Sequence, residues 1–287
     1  MLLGRRRTFR VCTYGSVLVS VFFLFILLQV LVSPDEEISH LVSAGSNRLF
    51  TYDTETSILD YPADDDRLVK YVRDTFIKPY DRRPGVQYNL TEIKQNSDYS
   101  RGQSKIIDEH LMKKRVGYYV DVGAGDGEHH SLTLFFEMER SYNGLLIEPY
   151  PSRYKTLLTK HRKAHSLQAC VRTNRTGSLK EYLAVKQRTS SVVPCLWMET
   201  VLSAAGVKTI DILSINVREE EMEILHAIPF DKFNIRVVSI EFSHNSNAYV
   251  DALKFMSSLN YVVIHQFVYH PLLKVDFIFV KKTKAKL

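Results

Sequence analysis

The sequence predicts an α/β protein with a mostly parallel sheet, placed behind an N-terminal transmembrane helix. Two observations lead to this prediction. From residue 118 onward, short apolar runs typical of strands alternate with stretches of helical length, and this order implies crossover connections and a sheet covered on both faces. Near the N-terminus, residues 11–32 carry no charge, and a helix of that length, about 33 Å, is long enough to cross the hydrocarbon core of a membrane.

The composition excludes several classes of protein. With 287 residues, 45% hydrophobic and 24% charged, the chain is globular rather than disordered, and three cysteines are too few for a disulfide scaffold. The net charge of +6 would favour nucleic-acid binding if it were spread over the surface. Eight bases instead stand at the two ends, where there is no acid: Arg5, Arg6, Arg7, Arg10, Lys281, Lys282, Lys284 and Lys286. Removing them from the 38 basic residues leaves 30 against 32 acidic ones, so no nucleic-acid partner is expected.

The charges that flank the apolar segment predict its orientation. Arginines precede it and three acids follow it, so the positive-inside rule keeps the N-terminus in the cytosol. A cleaved signal peptide is the alternative, but its apolar region is typically about 7–15 residues long and ends at small residues. We expect a cytosolic basic end at 1–10, a signal anchor at 11–32, a stem at 33–62 and a folded domain at 63–287. The domain would then lie in the lumen of the secretory pathway.

Four further residues fit a lumenal compartment. Asn89 and Asn174 each begin an acceptor sequence for N-glycosylation, although such tripeptides also arise by chance. Cys170 and Cys195 would both meet an oxidising environment. They could form a disulfide, but the sequence does not supply the separation that such a bond needs.

Elements of secondary structure can be placed in order along the domain. Asp64, Asp65 and Asp66 can cap a helix whose apolar spacing continues until Pro79, and another amphipathic helix is predicted near Ser104. Strands are predicted at 118–122, 144–148, 166–169, 211–217, 237–242, 262–267 and 276–280. Helices are predicted between most of them, at 131–139, 152–161, 197–204, 220–227 and 248–259. A short loop joins the last two strands, which predicts a hairpin at one edge of the sheet.

The segment after the first long strand carries the clearest chemical signal. Asp121, Gly123, Gly125 and Gly127 form a glycine-rich loop that leads into a helix, and glycines let a backbone turn tightly and approach a ligand. Glu148 ends the next predicted strand, where a carboxylate can accept hydrogen bonds from both ribose hydroxyls of an adenosine cofactor. An acid at the start of the loop suits a cofactor with a cationic amino group, such as S-adenosylmethionine. The alternative is a structural βα turn without a nucleotide.

These segments resemble a known family. The stretches YYVDVGAGDGEHHSLTLFFE, GLLIEPYPSRYKTLLTKHRKAH, TIDILSINVREEEMEIL and VVSIEF are similar to the FkbM-type methyltransferase domain, and most of all to its Star-like branch. The resemblance implies a Rossmann-like class I methyltransferase fold with S-adenosylmethionine at the loop and at Glu148. For that branch it also implies a lumenal domain and a role in moving membrane-bound growth-factor precursors from the endoplasmic reticulum to the Golgi and endosomes.

The chain departs from the family pattern after the fourth long strand of the parallel sheet. Where the family usually has an aspartate, a glutamate and a glycine, this chain has Asn216, Arg218 and Glu219, and only Glu221 keeps its place. An asparagine forms hydrogen bonds but cannot act as a base near neutral pH. The catalytic candidates that remain are therefore Asn216 itself, Glu221, and His244 after the fifth strand.

His129 and His130 directly follow the glycine loop. Histidine titrates near neutral pH and can act as a base or bind a metal. No carboxylate or cysteine stands beside them at the spacing of metal ligands, so surface or capping roles are favoured and no metal is expected.

Of two candidate functions, the sequence favours an adaptor over an enzyme. The replaced carboxylates favour a non-catalytic membrane adaptor that binds transmembrane cargo, such as a growth-factor precursor. The intact glycine loop with Glu148 favours the alternative, an S-adenosylmethionine-dependent O-methyltransferase of the secretory pathway.

Overall fold

A computed structural model describes six stretches of the chain: 57–92, 97–184, 189–217, 219–243, 248–269 and 274–282. The predicted anchor at 11–32 lies outside these stretches, as do the predicted cytosolic end and most of the stem. Within them, no helix has both the length and the apolar character that crossing a membrane requires.

The packed part of the chain begins earlier than the sequence predicted. The 3₁₀ helix Ile58–Asp60 is capped by the hydroxyl of Ser57, and Leu59 and Tyr61 pack against the main hydrophobic core. The guanidinium of Arg172 also donates a hydrogen bond to the Leu59 carbonyl at 2.7 Å. The last residues of the predicted stem are thus part of the folded domain.

Strands and helices alternate as predicted. The strands, numbered in chain order, are β1 (Ile77–Lys78), β2 (Tyr118–Val122), β3 (Asn143–Ile147), β4 (His165–Leu167), β5 (Cys170–Val171), β6 (Leu179–Ala184), β7 (Thr189–Leu196), β8 (Thr209–Ile215), β9 (Asn234–Ser243), β10 (Tyr261–Tyr269) and β11 (Lys274–Lys281). The α-helices are α1 (Asp66–Thr75), α2 (Gln103–His110), α3 (Thr133–Arg140), α4 (Pro151–Thr159), α5 (Met198–Ala204), α6 (Glu221–Ala227) and α7 (Ala248–Ser258). Each strand and each later helix that the sequence predicted is present, with ends shifted by three residues at most.

In the described residues, the main sheet has the strand order β1-β4-β3-β2-β8-β9-β11-β10. The five strands from β4 to β9 in this order are parallel to their neighbours, and β1 pairs with β4 in the antiparallel direction. The predicted hairpin at the edge is confirmed, because β10 and β11 pair antiparallel. β11 also lies antiparallel against β9, so the sheet is mixed and the hairpin adds two strands to the parallel core.

Both faces of the sheet are buried, as the crossover connections require. Successive side chains of a strand point to opposite faces: in β2, Tyr119 belongs to one apolar cluster, whereas Val120 and Val122 belong to the other. Apolar residues of α1, α5, α6 and α7 join the cluster of Val120, and those of α2, α3 and α4 join the cluster of Tyr119. The result is an α/β fold with three layers.

A second sheet, which was not predicted from the sequence, has the strand order β5-β7-β6. The middle strand β7 contains Pro194, and a proline within a run argues against a central strand. β7 avoids this conflict because different parts of it have different partners. Residues up to Pro194 pair with β6, and only Cys195 and Leu196 pair with β5.

Candidate functional site

A cleft of about 950 Å³ opens at the carboxyl ends of β2, β3 and β8. The chain order of the strands reverses between β2 and β8, because β3 lies on one side of β2 and β8 on the other. Ligands of open α/β sheets bind at such a switch point. The cleft is lined by most of the site residues that the sequence predicted: Asp121, Gly123, Gly125, His129, His130, Glu148, Asn216 and Glu219.

The glycine loop follows β2 and has a backbone that other residues rarely adopt. Gly123, Gly125 and Gly127 have φ angles of +81°, +62° and +80°. A Cβ on Gly123 would overlap the carbonyl oxygen of Asn216, whereas a Cβ on Gly125 would meet no atom within 4 Å. Gly123 thus lets the loop pack against the end of β8, and Gly125 leaves space on the cleft side for another molecule.

Backbone hydrogen bonds fix the loop to the neighbouring strands. The N–H groups of Gly123 and Ala124 donate to the carbonyl of Ile147, at 2.9 and 3.0 Å. The N–H of Asn216 donates to the carbonyl of Val122 at 2.8 Å. These bonds join the ends of three adjacent parallel strands, which together form the floor of the cleft.

Glu148 follows β3 and holds the glycine loop from the opposite side. Its carboxylate accepts a hydrogen bond from the Gly125 N–H at 2.7 Å through Oε2, and one from the Tyr150 N–H at 2.8 Å through Oε1. The residue is 1% exposed. Burial raises the pKa of Glu148 to about 7, against the two backbone hydrogen bonds, which lower it. Each carboxylate oxygen has a second lone pair, so the group can accept further hydrogen bonds from a molecule in the cleft.

Asp121 lies in β2 and is almost fully buried. It accepts a hydrogen bond from the Thr133 hydroxyl at 2.8 Å, which places it at the start of α3. Burial raises the pKa of Asp121, while hydrogen bonds from Thr133 and Ser214 and the charge of Arg162 lower it. Asp121 and Glu148 both line the cleft. These are the two carboxyl groups that the sequence predicted to bind a cofactor.

Arg162 is a supporting residue that the sequence analysis missed. Its buried guanidinium pairs with Glu137 at 3.0 Å and donates hydrogen bonds to the Gly127 carbonyl, to the Tyr119 hydroxyl at 3.1 Å and to the Thr133 hydroxyl at 3.2 Å. Its hydrogen bonds thus connect the glycine loop to β2 and α3. No local pattern in the sequence marks it, since it stands in a basic stretch before β4 that looks like a solvated surface.

Ion pairs form the outer wall of the cleft. Arg175 pairs with Glu223 at 2.5 Å, and two further pairs are Lys180 with Glu220 and Lys274 with Glu241. These residues all line the cleft. Because each base has an acid beside it, the wall is polar without a large excess of either charge.

The remaining catalytic candidates are placed less favourably. Glu221 is the first residue of α6 and is buried, and it is not among the residues that line the cleft. His244 lies outside the described residues, as does Arg218. Asn216 does line the cleft and is exposed, so it can contact a ligand there.

The two histidines after the loop are exposed at the edge of the cleft. The ring of His129 pairs with Asp126, which also caps the turn by accepting the N–H groups of Glu128 and His129 at 3.0 and 2.9 Å. The ring of His130 lies 2.8 Å from the Arg101 guanidinium. Partial burial, followed by the charge of Arg101, lowers the pKa of His130. Across the six described stretches, no group of three or more His, Cys, Asp or Glu side chains is arranged to hold a metal ion.

The structure also places the residues predicted for the lumen. Cys170 and Cys195 form a disulfide between β5 and β7, with their Cα atoms 4.4 Å apart. Asn174 is exposed. Asn89 is exposed as well, but its side-chain amide donates a hydrogen bond to the Thr159 carbonyl at 3.0 Å.

Comparisons with known proteins find a matching family model and several similar solved structures. Residues 121–263 match the family model of the methyltransferase FkbM domain. Among curated proteins, the comparison finds no match. Solved structures with a similar fold include the METTL16 MTase domain, with a TM-score of 0.44 and 12% identity over 77% of this chain and 83% of that one. The human methyltransferase 10 domain containing protein has a TM-score of 0.43 and 12% identity, over 74% and 92% of the two chains.

A third similar structure contains a cofactor product. It is M. capricolum TrmK in complex with S-adenosyl-homocysteine, with a TM-score of 0.39 and 11% identity over 62% of this chain and 68% of that one. The chain has an α/β fold with a mixed sheet, and its residues 121–263 are similar to the methyltransferase FkbM domain.

Proposed function

Taking the methyltransferase FkbM domain at residues 121–263 as the premise, we propose that this protein binds S-adenosylmethionine in the cleft and transfers its methyl group to an acceptor. The observation that carries the proposal is the pairing of Glu148 with Gly125. The buried carboxylate of Glu148 accepts a hydrogen bond from the Gly125 N–H, and the space beside Gly125 on the cleft side is open.

The donor and acceptor groups of the cleft fit the parts of this cofactor. Ribose hydroxyls can donate to the free lone pairs of Glu148, and the backbone at Gly125 leaves room for a ligand to approach. The cationic amino group would be favoured near the carboxyl group of Asp121. At about 950 Å³, the cleft lies at the upper end of the range for small-molecule sites, so an acceptor has room beside the cofactor. When bound, the cofactor supplies an electrophilic methyl group, and the protein contributes mainly its positioning.

A pair of glycine variants tests the binding site. Gly125 and Gly206 both have positive φ angles, +62° and +72°, and a Cβ on either would meet no atom within 4 Å. Valine should therefore strain the backbone similarly at both positions. Only Gly125 lines the cleft, whereas Gly206 follows α5. Calorimetry of the full chain in detergent, titrated with S-adenosylmethionine and S-adenosylhomocysteine, should show binding to the wild type and to Gly206→Val, but not to Gly125→Val.

The results separate the proposal from its rivals. If the folded wild type binds neither ligand, the domain does not use this cofactor and the proposal is wrong. If Gly125→Val binds as well as Gly206→Val, the ligand lies elsewhere. Transfer of a radiolabelled methyl group to lumenal proteins, glycans or lipids, absent in Gly125→Val, would establish the second half of the proposal.

A second candidate is the Star-like membrane adaptor, and the observation that favours it is Asn216. This residue lies at the cleft where the family usually has a carboxylate, and it cannot take up a proton near neutral pH. In this proposal the N-terminal segment at 11–32 anchors the protein in the membrane of the secretory pathway. The lumenal surface would then bind a transmembrane growth-factor precursor and assist its export.

The same glycine pair distinguishes the adaptor from the enzyme. An adaptor needs the fold but not the methyl donor, so cells with Gly125→Val should export a membrane-bound growth-factor precursor as well as cells with Gly206→Val. Export that fails only with Gly125→Val would show that the cofactor is required. Protease treatment of intact microsomes tests the orientation, because a lumenal domain should be digested only after detergent is added.

A further inference from the structure

A small chamber of about 30 Å³ adjoins the cleft and contains an unpaired carboxylate oxygen. Asp276 of β11 lines this chamber and is 2% exposed. Its Oδ2 atom accepts a hydrogen bond from the side-chain amide of Gln103. Its Oδ1 atom is buried and has no hydrogen-bond partner among the described residues.

The neighbours of Asp276 are themselves fixed in place. The Oε1 atom of Gln103 accepts a hydrogen bond from the Ser239 hydroxyl at 2.9 Å, which turns the amide nitrogen toward Asp276 and toward the Tyr269 hydroxyl, 3.3 Å away. The amide therefore satisfies Oδ2, and Oδ1 has no partner within the described stretches. A buried acceptor without a donor is unfavourable by about 1–3 kcal/mol, and native structures contain few of them.

The chamber lies next to the proposed cofactor cleft. Both are lined by the same six residues, Arg101, His130, Leu132, Ser214, Asn216 and Glu241. A molecule bound beside these six residues would therefore lie next to the chamber that Asp276 lines.

We propose that this chamber binds a hydroxyl group of the methyl acceptor, with Asp276 Oδ1 accepting its hydrogen bond; this inference rests on the proposed methyl transfer. The chamber, at about 30 Å³, has room for a group of the size of a water molecule, so a hydroxyl fits. Arg101 at the same chamber disfavours an ammonium group, and the carboxylate of Glu241 is already paired with Lys274. The ionised Oδ1 needs a donor, which a hydroxyl supplies and an ether or a carbonyl does not.

Asp276 can also take up the proton that such an acceptor must lose. The hydroxyl oxygen forms a bond to the methyl carbon, the carbon–sulfur bond of the sulfonium donor breaks, and its electron pair stays on sulfur as a neutral thioether. The hydroxyl proton passes to Oδ1. Burial, and next the charge of Glu241, raise the pKa of Asp276 to about 7, while the Tyr269 hydroxyl, Lys274 and Arg101 lower it. A carboxyl group with such a pKa can exchange a proton near neutral pH.

Two probes that differ in one group test the chamber directly. These are 2-methoxyethanol and 2-methoxyethylamine, which is an ammonium ion at neutral pH. In the full chain labelled with ¹³C at the aspartate carboxyl carbons, the resonance that is lost in Asp276→Asn identifies Asp276. We expect 2-methoxyethanol to shift this resonance in a saturable manner and the amine to leave it unchanged. Binding of the alcohol, followed by saturation-transfer NMR, should weaken about 10- to 100-fold in Asp276→Asn.

Asp251→Asn is the matched control, because Asp251 lies on α7 with a side chain that is 68% exposed. It should bind the alcohol like the wild type. An Asp276 resonance that responds to neither probe, or only to the amine, would overturn the proposal. The same samples are titrated with S-adenosylmethionine. If they bind the cofactor but not the alcohol, this inference alone fails, and if they bind the alcohol but not the cofactor, the proposed function fails.

Discussion

At the scale of single residues, the cleft depends on carboxyl groups that the fold buries. Glu148 and Asp276 are each at most 2% exposed, and burial raises the pKa of both to about 7. Their surroundings differ, because both oxygens of Glu148 accept backbone hydrogen bonds, whereas one oxygen of Asp276 has no partner in the described part of the chain. Glu148 is therefore placed to hold the glycine loop and to bind a ligand, whereas Asp276 is placed to exchange a proton.

The pKa of Glu148 predicts how cofactor affinity depends on pH. Ribose hydroxyls donate to the ionised carboxylate. When the pH lies below the Glu148 pKa of about 7, this carboxyl group must lose a proton before it can accept those hydrogen bonds. The dissociation constant for S-adenosylmethionine should thus fall by up to about tenfold per pH unit as the pH rises toward 7, and then level off. Calorimetry between pH 5.5 and 8.5 measures this dissociation constant. Glu148→Gln should bind more weakly with a flatter profile, and an equally steep profile in this variant would assign the titration to another group.

Arg162 gives a second prediction at this scale. Removing one partner of a buried ion pair leaves the other charge uncompensated, which typically lowers the free energy of unfolding by about 3–5 kcal/mol. Arg162→Met should show a loss of this size in urea denaturation, because Glu137 stays buried. The exposed Arg115 is the control, and Arg115→Met should change the free energy of unfolding by less than about 0.5 kcal/mol. Equal effects of the two substitutions would contradict the importance of the network.

At the scale of elements, the small sheet β5-β7-β6 forms one wall of the cleft. Lys180 of β6 and Arg175 just before it both line the cleft and pair with acids at the start of α6. The disulfide between Cys170 and Cys195 joins two strands of this sheet. It thereby holds the sheet in place where the hydrophobic contacts are few.

Reduction of this disulfide should destabilise the domain. The bond closes a loop with a sequence separation of 25 residues, and the loss of chain entropy in the unfolded state corresponds to about 3 kcal/mol. We expect dithiothreitol to lower the free energy of unfolding by that amount in urea denaturation. A double variant, Cys170→Ala with Cys195→Ala, should be similarly less stable and should not respond to dithiothreitol. A wild type that is equally stable in both redox states would contradict the prediction.

At the scale of the whole molecule, the buried carboxyl groups link stability to pH. The folded state of Asp276 holds its proton more tightly than the unfolded chain, with a pKa of about 7 against an ordinary value of 3.8. The stabilisation is complete below the unfolded pKa and is lost as the pH rises through about 7. For this one group the loss corresponds to about 4 kcal/mol between pH 4 and pH 8.

Asp276→Asn should remove this part of the pH dependence. Between pH 4 and pH 8, the free energy of unfolding of the wild type should fall by about 4 kcal/mol more than that of the variant. Urea denaturation at several pH values measures this difference. The exposed Asp251→Asn should follow the wild type at every pH. Parallel curves for Asp276→Asn and the wild type would show that Asp276 titrates at an ordinary pKa in the folded protein.

The sequence alone was enough to predict the strands and helices of the parallel core, the edge hairpin, the glycine loop and the position of Glu148 after β3. These features depend on local patterns: apolar periodicity, a capping aspartate before α1 and glycines at positive φ angles are all readable within a few residues. The tertiary structure alone decided the features that join distant segments. Arg162 reaches Glu137 and the glycine loop, β7 divides its pairing between two strands around Pro194, and Asp276 meets Gln103 from the far end of the chain. No local pattern can mark such residues, because their burial and their partners arise only when the sheet brings the segments together.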